Sequence, residues 1–166
     1  MITLVQRVRW ARVRVAGECT GAIDRGLLLL VGVERGDTAA EADATARKVA
    51  AMRVFPDRTP MDRSLLEVGG ACLVVSQFTL AAELRHGNRP DFQAAAAPDI
   101  AEPLYLRVAE QIAGAGVPVA TGRFGASMQV ESCNDGPVSL VLTVRGGRIV
   151  PRPWPGDAPE GPTTGR

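Results

Sequence analysis

"GLLLLVGVERGDTAAEADATARKVAAM" (residues 26–52) changes its period halfway along. The first part is a short, continuous apolar run between glycines, the pattern of a strand buried on both faces. It is far too short to span a bilayer. After "ERGD" the apolar residues spread out. Thr38-x-x-Glu41 has capping-box spacing, and Ala42, Ala46, Val49 and Met52 recur at helical intervals. Pro56 and Pro60 close that helix.

Downstream the alternation repeats. "ACLVVSQFTL" (71–80) reads as a second buried strand entered through Gly69-Gly70, and "ELRHGNRPDF" (83–92) follows as a polar, turn-forming segment. A second helix is predicted from about Asp99, with Glu102 three residues on and Pro103 tolerated in its first turn. Leu104, Val108 and Ile112 mark its buried stripe, and Gly114 and Gly116 end it. Short strands are then predicted in "VPVAT", "SMQVESC" and "VSLVLTV". Upstream, "MITLVQRVRWARVRVAGECTGAI" (1–23) is β-rich and alternating. Arg7 and Arg9 fall on one face and Arg12 and Arg14 on another, either as solvated strand faces or as a phosphate-facing patch. Strands, helix, strand, helix, strands in that order predict an α/β fold with a mixed sheet.

The chain has 166 residues, 46% hydrophobic and 22% charged, with a net charge of +1. That fits one domain with a proper core and gives no overall basicity that advertises nucleic acid. Cys19, Cys72 and Cys133 show no C-x-x-C spacing and read as buried thiols of a reducing cytosol. With His86 the single histidine, no metal site is expected. From Gly146 the composition shifts. Residues 151–166 hold five Pro and three Gly, so 1–145 is expected to be the domain and 146–166 a disordered Pro/Gly-rich tail.

Glycines and small polar residues gather in "SQFTLAA" (76–82), "GNRPDF" (87–92) and "NDGPVS" (134–139). Ser76 and Thr79 are possible nucleophiles, yet such a residue needs an oriented base, and there is no G-x-S-x-G elbow. Taken alone they are more often ordinary strand-end hydroxyls. Gly136-Pro137 is odder. It stands at the mouth of a strand, where Pro cannot donate to the ladder and Gly weakens it. Most Gly-Pro pairs mark plain turns, but one can also present bare backbone at close range.

These segments together resemble the bacterial and eukaryotic D-aminoacyl-tRNA deacylase family. The likeness runs from Met1 to about Val144 through "MITLVQRV", "GLLLLVGVE", "GGACLVVSQFTLAA", "GNRPDF", "TGRFGASMQV" and "NDGPVS", in order. The resemblance implies a single layered β/β/α domain with a mixed sheet and two main helices, forming a cytoplasmic homodimer. It implies hydrolysis of the ester joining a D-amino acid to the 3′ end of tRNA, without a cofactor or a membrane partner. The family's SQxxL motif falls on Ser76, Gln77, Phe78, Thr79 and Leu80. Its Gly-cisPro motif, inserted from one subunit into the other's site, falls on Gly136 and Pro137, with Arg7 in support. Asn134, Met128 and Phe124 are further expected site residues.

As the resemblance implies, the Gly-Pro backbone bars an L side chain by collision, so glycyl-tRNA should pass the filter as D-aminoacyl-tRNA does. Backbone N–H groups around Gln77 and Phe78 are expected to hold the oxyanion, and the substrate's 2′-hydroxyl to take the proton. Thr79 as nucleophile is the competing mechanism. A tRNA-binding module without turnover and a Ser- or Thr-dependent esterase are the competing functions. The chain departs from the family's habits at Ser139, where Thr is usual, at Asp91, where Ser is usual, and at Arg63 in "MDRSL". Little change is expected from Ser139, and slightly weaker tRNA binding from Asp91.

Overall fold

The computed structural model describes residues 1–85 and 87–151. Strand β1 (Ile2–Val15) leads into β2 (Glu18–Ile23) and β3 (Gly26–Gly32), then helix α1 (Ala39–Ala51) and strand β4 (Ala71–Ser76). A 3₁₀ turn (Phe78–Ala81), helix α2 (Pro98–Gly114), β5 (Val119–Thr121), β6 (Gln129–Arg145) and β7 (Arg148–Ile149) complete it. The sheet order is β5-β4-β3-β1-β6-β7, with β2 on β1. β3, β4 and β5 run parallel and the other pairs antiparallel, so the sheet is mixed, as the order of elements predicts.

The layering follows from how β1 is shared. Its residues 2–8 pair with β3, while residues 11–15 pair with β2, and β6 follows β1 through both stretches. The far half of this ribbon therefore folds over the β3–β4 face. Val8, Ala11 and Val13 meet Leu28, Leu73 and Val75 between the two β layers. On the opposite face Leu27, Leu29 and Val74 pack against Ala42, Ala46 and Val49 of α1 and Tyr105, Val108 and Ile112 of α2. Each large apolar side chain so buried is worth roughly 1.5–3 kcal/mol. At Gly21 the layers come so close that a Cβ would lie 2.3 Å from the Thr121 carbonyl oxygen.

The α1 capping box forms in full. The Thr38 side chain accepts from the Ala40 N–H at 3.2 Å, and Glu41 accepts from the Thr38 N–H at 2.8 Å. α2 begins at Pro98 without a side-chain cap, and its buried stripe runs through Ala101, Tyr105, Val108 and Ile112, with Leu104 only half-buried. Arg107 forks onto Asp43 at 2.7 and 2.9 Å and ties the two helices together.

Four expectations need correction. The 71–80 strand ends at Ser76, because the chain tightens into the 3₁₀ turn. "SMQVESC" and "VSLVLTV" belong to one strand, β6, with Gly136-Pro137 in its interior. Cys19 is exposed on β2, not buried. The fold also continues past residue 145: Gly146 and Gly147, both at positive φ, turn the chain into β7, which pairs back on β6. Residues 152–166, the rest of the expected tail, lie outside the described residues, as does His86. Among the described residues no helix is long and apolar enough to cross a membrane, and no three His, Cys, Asp or Glu side chains gather as a metal site.

Candidate active site

Ser76 is the last residue of β4, where the strand leaves its parallel neighbour β3. Gln77 makes one more ladder bond, its N–H donating to the Val31 carbonyl at 2.8 Å. The 3₁₀ turn then starts, held by Leu80 N–H to Gln77 O at 3.2 Å and Ala82 N–H to Thr79 O at 3.2 Å. The first two N–H groups of such a turn, those of Phe78 and Thr79, have no acceptor within it. Neither donates to another backbone carbonyl among the described residues. The Gln77 N–H, expected together with that of Phe78 to hold the oxyanion, is engaged in the ladder bond to Val31. The turn lies close beneath β3. A Cβ on Gly32 would sit 2.9 Å from Leu80 Cβ and 3.0 Å from the Gln77 carbonyl oxygen.

Two hollows meet at Ser76, Gln77 and Phe78. The larger of the two, of about 380 Å³, is walled by Val31, Phe92, Ala96, Ala101, Tyr105 and Phe124. The smaller, of about 220 Å³, is bounded by Gly125, Ala126, Met128 and Val130. Phe78 is 57% exposed and stands edge-on to Phe92, ring centres 5.1 Å apart, both lining the larger hollow. Among the described residues no carboxylate, imidazole or cation lines either hollow. The one ionisable wall residue among them is Tyr105. Its hydroxyl donates to the Val74 carbonyl at 3.0 Å, and burial pushes the phenol up, which keeps it protonated. Thr79 lines neither hollow. Its exposed side chain turns back onto Gln77, whose amide donates to the Thr79 hydroxyl.

The other expected residues form a second group on β6. Gln6 is paired with Ser139 and Val8 with Asn134, so two steps along β1 are matched by five along β6. Three surplus residues bulge out, and the exposed Gly136 and Pro137 are among them. The Gly136–Pro137 peptide is cis, and Gly136 has φ 137°, a backbone region reserved for glycine. Arg7 is the single β1 residue between the two paired positions, Gln6 and Val8. It is buried, with Nε donating to the Asp135 carbonyl at 2.9 Å and Nη1 to the Val54 carbonyl at 2.6 Å. A Cβ on Gly136 would come within 2.9 Å of Arg7 Nη2. Asn134 bridges the bulge, accepting from the Val138 N–H at 2.8 Å.

Thus Ser76, Gln77, Phe78, Phe124 and Met128 come together around the hollows, while Arg7, Asn134, Gly136 and Pro137 come together elsewhere. Gly136 and Pro137 line neither hollow of their own chain. The N-terminal arginines meet carboxylates. Arg9 donates to Asp135 at 3.1 Å, while Arg12 and Arg14 share Glu131 at 3.2 and 3.1 Å. Sequence reasoning missed Phe92 and Tyr105 as wall residues. Phe92 carried a signal as the aromatic end of "GNRPDF". Tyr105 carried none: of the expected stripe Val108 and Ile112 are buried, but its first member was placed on Leu104 instead of the neighbouring Tyr105.

Comparison with known proteins gives the same answer at the level of whole chains. The family model described as D-Tyr-tRNA(Tyr) deacylase matches residues 4–143. A D-aminoacyl-tRNA deacylase of Cereibacter sphaeroides is 53% identical over 141 residues, 84% of this chain and 97% of that protein. One of Chloroflexus aurantiacus is 54% identical over 143 residues, 86% of this chain and 89% of that protein. Among solved structures, the c-Myc DNA unwinding element binding protein superposes with a TM-score of 0.81 at 38% identity, covering 87% of this chain and 99% of that one. A probable eukaryotic D-amino acid tRNA deacylase, 17% identical with a TM-score of 0.72 over 84% of this chain and 97% of that one, shares the fold. With its model matched over residues 4–143 and relatives about half identical over most of their length, the chain belongs to the D-Tyr-tRNA(Tyr) deacylase family.

Proposed function

We propose that the chain hydrolyses the ester between a D-amino acid and the 3′-terminal adenosine of tRNA, using main-chain groups in place of a catalytic side chain. The observation that carries this mechanism is the pair of N–H groups of Phe78 and Thr79, which donate to no backbone carbonyl among the described residues; Phe78 borders both hollows, and no charged group among the described residues lines either. An aminoacyl ester is already activated, and one well-aimed oxyanion donor is worth about 2.7–4 kcal/mol. Water adds to the ester carbonyl and its proton passes to the ribose 2′-hydroxyl. The 2′-hydroxyl's own proton moves to the departing 3′-oxygen, so no protein base is needed. The larger, apolar hollow suits the adenosine or another flat, uncharged part of the substrate.

In this reading the site is completed by a second copy. Gly136 and Pro137 project from β6 as exposed backbone, away from their own chain's hollows, in a form suited to insertion into a neighbour. Backbone placed there leaves room for hydrogen on the barred side of the α-carbon but not for a Cβ. L-Aminoacyl-tRNA is excluded, and glycyl-tRNA is accepted together with D-aminoacyl-tRNA. The working unit is a cytoplasmic homodimer that needs no cofactor.

Deacylation of matched D-Tyr-, L-Tyr- and Gly-tRNA by the wild type and by Thr79→Ala tests the scheme. The D and glycyl esters are expected to be cleaved and the L ester spared, with Thr79→Ala keeping most of the rate. Cleavage of all three would remove the filter. A dead Thr79→Ala would restore the nucleophile, and tRNA binding without turnover would leave only a binding module.

A further inference from the structure

We propose that Ser139, together with Gln6, is a positioning residue for stereochemical selection: its hydroxyl closes the neck of the bulge that carries Gly136 and Pro137. This rests on the reading of that bulge as the wall that rejects L-aminoacyl esters. A bulge with three surplus residues has no ladder partners of its own, so its pose is set where it rejoins the sheet. The two rejoining positions are Asn134, opposite Val8, and Ser139, opposite Gln6. They are bonded to each other. Asn134 Nδ2 donates to Ser139 Oγ at 2.9 Å, and Gln6 Nε2 donates to the same oxygen at 3.0 Å. Two donors saturate the acceptor capacity of one hydroxyl. Asn134 is thereby fixed at its amide nitrogen while its oxygen holds the Val138 N–H at 2.8 Å.

The clasp and Arg7 act on different sides of the bulge. Arg7 grips the Asp135 carbonyl from within and is itself anchored to the Val54 carbonyl. Ser139 and Gln6 grip from the exposed side and touch nothing in the hollows. Removing the Ser139 hydroxyl releases two donors and leaves Asn134 held only through its oxygen on the Val138 N–H, so the wall gains play without losing its residues. A wall with play admits the L ester before it loses the D ester.

The experiment measures the ratio of D-Tyr-tRNA to L-Tyr-tRNA deacylation rates for wild type, Ser139→Ala, Ser139→Thr and Gly136→Ala. Ser139→Ala is expected to lower the ratio about tenfold, roughly the worth of a net hydrogen bond, and Ser139→Thr to keep it near wild type. A wild-type ratio in Ser139→Ala with an altered ratio in Gly136→Ala overturns the clasp and leaves the wall standing. Wild-type ratios in both overturn the wall, and the clasp with it. A ratio that falls equally in the alanine and threonine variants shows that the hydroxyl is not the agent, which also overturns the proposal. Should Ser139→Ala fail to fold, Gln6→Met, which removes one donor, must lower the ratio by a smaller factor; an unchanged ratio there refutes the clasp.

Discussion

Arg7 donates from both ends of its guanidinium, to the Asp135 carbonyl and to the Val54 carbonyl, in a setting where only 8% of the residue meets solvent. A lysine cannot make that fork, since its ammonium is a single point on a flexible stem. Replacement by methionine strands the buried Val54 carbonyl, at about 1–3 kcal/mol for a polar group left unpaired, and releases the part-buried Asp135 carbonyl at about 1 kcal/mol. Arg7→Met is therefore expected to lower the urea midpoint by an amount equivalent to about 2–4 kcal/mol, with Arg7→Lys recovering only part of it. Equal midpoints for the three proteins would mean that the fork contributes nothing. The importance of Arg7 was legible from "QRV" through family resemblance. Its grip on Val54 was not, because that carbonyl belongs to a loop 47 residues away with no sequence signature of its own.

Helix α1 and the β6–β7 hairpin meet in one carboxylate. Glu41 closes the capping box on Thr38 and also accepts from the Gly147 N–H at 2.8 Å. Burial works to raise this carboxyl, but hydrogen bonds from the Thr38 side chain and backbone and from Gly147 outweigh it and bring it to about 2. Because the folded value lies below the ordinary 4.5, the stabilisation is complete above pH 4.5 and is lost as pH falls toward 2. Glu41→Gln is expected to cost up to about 3 kcal/mol at pH 7, with the deficit shrinking below pH 4.5. Chemical unfolding of both proteins at pH 7, 4 and 3 measures this, and a deficit independent of pH would contradict it. The capping box could be read from Thr38-x-x-Glu41, since its partners lie three residues apart. The hairpin contact could not, with its partners 106 positions apart. Nor could the unity of β6, because a bulge of three residues breaks the period-two pattern that identifies a strand.

On the scale of the molecule, β6 leaves apolar surface unclaimed. Val141 is 65% exposed and Leu140 38%, on the same strand as the Gly136-Pro137 bulge. A second copy packed there would cover these side chains and bring its bulge to a neighbouring site. Sedimentation of the wild type is expected to give twice the 17.5 kDa chain mass. Val141→Glu is expected to give a folded monomer with little deacylase activity. A monomeric wild type that still separates D from L esters would dispose of the shared site. The layered α/β architecture was legible because each buried strand and each helix carries its own period. Ser76, Gln77, Phe78, Phe124 and Met128 were expected together from the family resemblance alone; the physical reason, that the connection from β5 to β6 runs past the end of β4, is a matter of strand placement that no local pattern carries.

The uncharged hollows also bear on how such a protein tolerates mutation. Every residue type except proline carries an N–H, so the donors proposed at positions 78 and 79 persist through most substitutions there. What heredity must preserve is the path of the chain: a tight turn after Ser76, a glycine at 32 to make room for it, and a ladder bond from Gln77 to Val31. Loss of function should then cluster at positions that shape the backbone, some of them remote from the substrate. The reacting centre itself can vary its side chains and remain a catalyst.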